Sequence, residues 1–278
     1  VDDLMKKISI GNLIDNLILI IGSIIMVFPF YWMFLSAFKT PAEVNTTPPT
    51  WLPSSFRLDN FIYAFQTAPF GRYFLNSVIV TASVVALTSF VTILAAFAFS
   101  RLKFPGRDLL FSFCIALMMI PFEMIVITNY STIADWGLLD NIVALIIPFT
   151  SSIFYTYILR NFFFSIPDSL YYSARVDGAS NWKYLWRIMV PIARPAIVTI
   201  ALLNTITSWN AFLWPLLVVN TSENRTLPLG LYTFITDGGV RYERLMAAAT
   251  IVVVPVILLF LFTRKHIVSG VARGGLKG

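Results

Sequence analysis

Long apolar runs alternate with short polar segments along the whole chain. Six runs reach or approach the ~20 predominantly apolar residues that a helix needs to cross a bilayer. They cover residues 17–38, 78–99, 109–130, 142–164, 196–219 and 245–263. The fourth is apolar to 159 and continues through 161–164. Up to that point the six hold one side chain charged at neutral pH, Glu123. Pro29, Pro121, Pro148, Pro215 and Pro255 fall inside them and predict kinks, which membrane helices tolerate. No period-two alternation suggests a barrel. The first run is longer than the apolar stretch of a signal peptide, and no small-residue cleavage site follows it, so it reads as a retained span. The pattern predicts an all-α, polytopic protein with six transmembrane helices, residues 1–278 forming one membrane domain.

Composition agrees. Of 278 residues, 58% are apolar and 12% charged. An ordinary soluble domain of this size has no core large enough for that apolar surface. The net charge of +6 matters through its distribution. Residues 1–16, 100–108, 160–195 and 263–278 carry fourteen Lys and Arg, against six in 39–77, 131–141 and 220–244. The basic set is expected on the cytoplasmic side, which puts both termini inside. The outer set begins with a Pro-rich stretch, 40–53, and an aromatic segment, 61–74, expected to form a short helix along the outer surface. Aromatic anchoring and docking of an external partner are both open for it.

Catalytic and metal chemistry find little material. Cys114 is alone, so no intrachain disulfide forms. With His266 the single histidine, no structural zinc site can be assembled, and a Ser/His/Asp triad would need that basic-tail residue. Glu123 is the one ionisable group expected at membrane depth, as a structural hydrogen-bonding group or a pathway residue.

The segment 165–195 is too organised for a linker. Pro167 suits the first turn of a helix, 168–177 has no breaker, and Gly178 falls where a helix C′ residue belongs. Ser180 suits the N-cap of a second helix, in which Trp182, Leu185, Trp186 and Met189 recur on one apolar face until Pro191 and Pro195 stop it. Small residues at the turn, Ser173, Ala174, Gly178 and Ala179, would permit close approach of another surface.

In this segment 157–167, 174–180 and 188–191 resemble the EAA loop of ABC importer permeases, whose pattern is E-A-A-x(3)-G-x(9)-I-x-L-P. Gly178, the nine-residue gap, Ile188 and Pro191 fit it. Asn76 with Ser77, and the stretches 95–107, 208–215 and 270–278, resemble the carbohydrate-uptake, maltose-type branch. Tyr172 stands where the family usually has Glu, and Ser173 replaces the first Ala. That departure removes the family's ion pair with the ATPase, so docking would rest on shape and hydrogen bonds.

The resemblance implies a permease subunit of an ATP-driven importer. It forms the path for a sugar or oligosaccharide with a second homologous permease. Two ATPase subunits, alike or different, and an extracytoplasmic solute-binding protein complete the assembly in the cytoplasmic (inner) membrane. The chain lacks G-x-x-x-x-G-K-[ST], so ATP and Mg are expected on the ATPase partners and no cofactor on this chain. It is not expected to be an enzyme or to bind nucleic acid. The coupling loop would engage the ATPase through Tyr172, Ser173, Ala174, Arg175, Asp177, Gly178, Ala179, Ile188 and Pro191. The glycine-rich tail, Gly274, Gly275 and Lys277, would reach the same subunits. Polar and aromatic residues in otherwise apolar spans are candidates for the path: Glu123, Ser152, Tyr155, Asn204, Ser208, Trp209, Asn210 and Trp214. The same side chains could equally hold helices together. A permease for a non-sugar solute and an ion-coupled secondary transporter are the competing readings.

Overall fold

The computed structural model describes the backbone of residues 10–235 and 241–275, and the side chains of 14–235, 241–258 and 261. These residues form helices joined by short turns, with no strand among them. The chain divides into two compact units, 1–68 with 231–254 and 69–230 with 255–278.

In the first unit, α1 (Ile10–Ser36) is apolar on nearly all sides from Leu17 and, from Ile14 onward, exposed except near its end. Pro29 lies inside it without ending it. A short α2 (Pro41–Val44) follows, started by a capping box. The Thr40 hydroxyl accepts from the Glu43 amide, and the Glu43 carboxylate accepts from the Thr40 amide at 2.7 Å. Lys39 is buried; its Nζ donates to the Thr50 carbonyl at 2.5 Å and lies 4.2 Å from the Trp32 ring centroid. Next comes α3 (Asp59–Thr67), whose Tyr63 ring receives the guanidinium of Arg244, from the first turn of the last helix, at 3.6 Å.

The aromatic segment 61–74 is not one surface helix. Pro69 follows the end of α3, and Tyr73 and Phe74 belong to the first turns of α4 (Phe70–Arg101), 32 residues long. That helix is the axis of the second unit, and α8 and α12 pack along it.

Several expected spans are broken rather than straight. The third consists of α5 (Arg107–Leu117) and α6 (Phe122–Asp135), which meet at 96°. The turn between them carries three successive i→i−3 bonds, from Met118, Met119 and Ile120, before Pro121, which has no N–H to continue the ladder. The fourth bends by 45° between α7 (Ile142–Ile146), with a 3₁₀ turn holding Pro148, and α8 (Ile153–Phe164). Then come α9 (Asp168–Val176), α10 (Asn181–Tyr184), a π-turn over Leu185–Met189, and α11 (Val190–Ile192). The fifth expected span ends its first helix, α12 (Arg194–Trp209), at Asn210 and resumes as α13 (Leu213–Val218). The short α14 (Leu227–Gly230) and α15 (Tyr242–Gly275), with Pro255 inside it, complete the chain.

Pro191 does not stop the second loop helix. The chain stays helical through Ile192, and the break comes at Ala193, where the axis turns by 78° into α12. The wide π-turn just upstream relieves the clash that a proline ring makes with the carbonyl four residues earlier. It also shifts the apolar face. Tyr184, Leu185 and Met189 are fully buried, whereas Trp182 is exposed. Those three pack with Ile93, Phe97, Leu159 and Ile200, so residues 165–195 share one core with α4, α8 and α12.

Candidate functional site

The segment 165–195 is a rigid corner. Gly178, at φ +75°, closes α9 in a Schellman turn: its amide donates to the Arg175 carbonyl at 3.1 Å, and the Ala179 amide to the Ala174 carbonyl at 2.9 Å. The Ser180 hydroxyl accepts from the Lys183 amide and caps α10. Tyr171 staples the two helices by donating to Asn181 Oδ1 at 3.1 Å, with its ring against Tyr184. The small residues therefore divide. Ala174 and Ala179 are buried, their size serving the chain's own packing rather than an incoming surface. Ser173, Arg175, Asp177 and Gly178 face outward, Ile188 is half-buried in the core, and Pro191 is exposed. Tyr172 and Val176, one turn apart, are 59% and 88% exposed and form the apolar crest of α9. Val176 was not among the expected residues, although its i+4 spacing from Tyr172 pointed to it.

Arg101, the last residue of α4, joins this corner to the helices behind it. Its guanidinium donates to the carbonyls of Phe163 and Ile166, at the end of α8, and pairs with Asp168 in the first turn of α9. Its side chain is 5% exposed. A cleft of about 370 Å³ opens beside it, lined by Lys103, Arg107, Asp168, Tyr171 and Tyr172 among others. Arg107 hydrogen-bonds Asp108, and Arg160 adds a second cation; together they hold the Asp108 carboxyl below its usual range.

A second cavity, of about 80 Å³, lies between α4, the α7 region, α12 and α13. Val80, Leu145, Phe149 and Trp214 supply its apolar wall; Asn204, Thr207, Ser208 and Thr226 supply the polar one. Trp214 is fixed by its indole N–H, which donates to the Ala144 carbonyl at 2.9 Å. Of the expected path residues, Asn204, Ser208 and Trp214 converge here. The others do not line it. Glu123 sits exposed in the first turn of α6, where the helix dipole favours a carboxylate. Ser152 caps α8 by accepting from the Tyr155 amide, and Asn210 bonds back to the Ile206 carbonyl at the end of α12. Trp209 packs edge-on against Phe74, and Tyr155 is buried facing Thr207. Gly274 and Gly275 end α15; Lys277 lies outside the described residues.

Thr226 belongs to a loop whose attachment periodicity does not reveal. Asn76 donates to the carbonyls of Glu223 and Arg225, and the Ser77 hydroxyl accepts from the Leu227 amide at 2.8 Å. Tyr73 shares a hydrogen bond with Ser222. Asp140, at φ +56°, accepts from the amides of Asn220 and Thr221 and from the Thr221 hydroxyl, each at 3.0 Å. Burial pushes its carboxyl upward, but these hydrogen bonds outweigh that and hold it below the usual range.

Other proteins carry this architecture. The chain is 32% identical to the arabinooligosaccharides transport system permease protein AraQ of Halalkalibacterium halodurans, over 91% of this chain and 92% of that one. It is likewise 32% identical to the diacetylchitobiose uptake system permease protein DasC of Streptomyces coelicolor, over 99% and 100%. Its fold matches a chain of a bacterial ABC transporter involved in import of the acidic polysaccharide alginate, with a TM-score of 0.81 and 24% identity over 94% and 97% of the two chains. Residues 89–273, which run from the latter part of α4 through the helical corner and into α15, match the model of one permease family. The chain belongs to the binding-protein-dependent transport system inner membrane components.

Proposed function

We propose that this chain is a permease subunit of an ATP-driven importer for a sugar or oligosaccharide. It shares the path with a second permease, receives solute from a binding protein, and couples through 165–195 to ATPase subunits that hold ATP and Mg. Six spans with both termini in the cytoplasm complete this reading. The long helices Ile14–Ser36 and Phe70–Arg101, the bent pairs α5–α6 and α7–α8, α12 with α13, and α15 supply the membrane segments. The carrying observation is the Arg101 link. It binds the exposed corner to α4, and α4 also walls the polar cavity, so a pull on the corner reaches the cavity through rigid elements. The cavity holds on the order of three waters, far less than a disaccharide. That size supports a path completed by a second permease.

The test is ATP-driven uptake by the assembled importer carrying Gly178→Trp. Position 178 has positive φ, so a side chain there is strained and also fouls the docking face. Uptake should be abolished while the chain remains inserted and folded. Uptake at the unmodified rate would overturn the docking assignment.

A further inference from the structure

Two buried polar groups bordering the cavity have no partner among the described residues. Asn204 is 7% exposed and its Nδ2 is unbonded; Thr226 is 5% exposed and its Oγ1 is unbonded. Their neighbours behave differently. Thr205 and Thr207, on the same helix, return their hydroxyls to the carbonyls of Ala201 and Leu203. Thr226 directly precedes α14, where a threonine normally caps the helix, yet its hydroxyl caps nothing. Buried polar groups are almost always satisfied, so an unbonded pair bordering one cavity marks a place for a hydrogen-bonding guest. The loop holds Thr226 in place from both sides, through Asn76 on the Arg225 carbonyl and Ser77 on the Leu227 amide. A group held this firmly loses little freedom on binding.

We propose that this cavity is a subsite for the hydroxyl groups of an uncharged saccharide, with Asn204 donating and Thr226 donating or accepting. The proposal rests on the importer reading above. The lining side chains are amides, hydroxyls, apolar groups and an indole, without a charge among them. A carboxylate or phosphate entering here would lose its hydration and meet no cation. Sugar hydroxyls both donate and accept, which suits the two unbonded atoms, and the Trp214 and Phe149 rings offer an apolar surface for the sugar's C–H groups.

The experiment uses the complete importer, purified with its companion chains and reconstituted into liposomes. Radiolabelled neutral disaccharides are compared with uronate disaccharides of the same linkages. The neutral sugars should be imported and the uronates refused. Thr226→Val keeps the shape of the side chain and removes its hydroxyl. It should lower kcat/KM for the neutral sugar about tenfold, while Thr226→Ser restores it. Asn204→Leu should lower it by a similar factor, with intact complex verified by size-exclusion chromatography. Preference for the uronate, or unmodified kcat/KM in both Thr226→Val and Asn204→Leu, overturns the subsite and leaves the importer reading standing. No ATP-driven import of any sugar overturns the importer reading itself.

Discussion

Single side chains decide how the loops hold. Glu43 is the clearest case among the titratable groups. Hydrogen bonds from Ser54 and Thr40 hold its carboxyl at about 2, against an ordinary 4.5. The folded state therefore binds the proton more weakly than the unfolded chain does. The contribution to stability is complete above about pH 4.5 and is lost as pH falls toward 2. Trp51, packed edge-on against Trp32 in the same unit, reports it. Its fluorescence should change only below pH 4.5, and Glu43→Gln should remove that acid transition. A transition centred above pH 5 would contradict the assignment. Thr226 and Arg101 also act as single residues, but neither is legible locally. Thr226 borders the cavity only because Asn76 and Ser77, about 150 positions earlier, hold its loop, and no spacing rule reports a pairing at that distance.

Helix termini were legible where a local rule fixes them. Gly178 and Ser180 are a C′ glycine and an N-cap whose chemistry lies within four residues, and both occur where that chemistry requires. Pro121 and Pro148 mark breaks, whereas Pro29 and Pro255 lie inside unbroken helices. Proline inside a helix removes one hydrogen bond, and the surrounding packing decides whether the axis turns. The π-turn at Leu185–Met189 escaped for a similar reason. A 3.6-residue period put Trp182 in the core, and the wide turn placed Tyr184 there instead. The coupling prediction also belongs to the element scale. Arg101→Leu takes the guanidinium away from two helix-end carbonyls and from the largely exposed Asp168, a loss of about 2 kcal/mol. In the reconstituted importer this should raise the number of ATP molecules hydrolysed per sugar imported. A lower melting temperature with an unaltered ratio would reduce Arg101 to a structural link.

For the whole chain, hydrophobic pattern alone made the all-helical membrane class legible. Pro121 and Pro148 mark two of the bends, but their size was not legible, because a run of apolar residues has no sense of direction. A straight span and two helices meeting at 96° have the same composition. Orientation is open to a direct test. With Cys114 replaced by Ser, single cysteines are placed at Asp177 and Glu223, both exposed. A membrane-impermeant maleimide applied outside intact cells should label position 223 alone. Labelling at 177 from outside would reverse the topology drawn from Lys and Arg.

The crest of α9 carries Tyr172 and Val176, with no carboxylate between them. Contact through an aromatic ring and a branched alkyl group has no ion pair for dissolved ions to screen, so salt would act only on the flanking, outward-facing Arg175 and Asp177. An importer joined to its motor mainly through Tyr172 and Val176 should loosen little from dilute buffer to molar potassium chloride. Tyr172→Glu would restore the family's charge and make the union loosen as ionic strength rises.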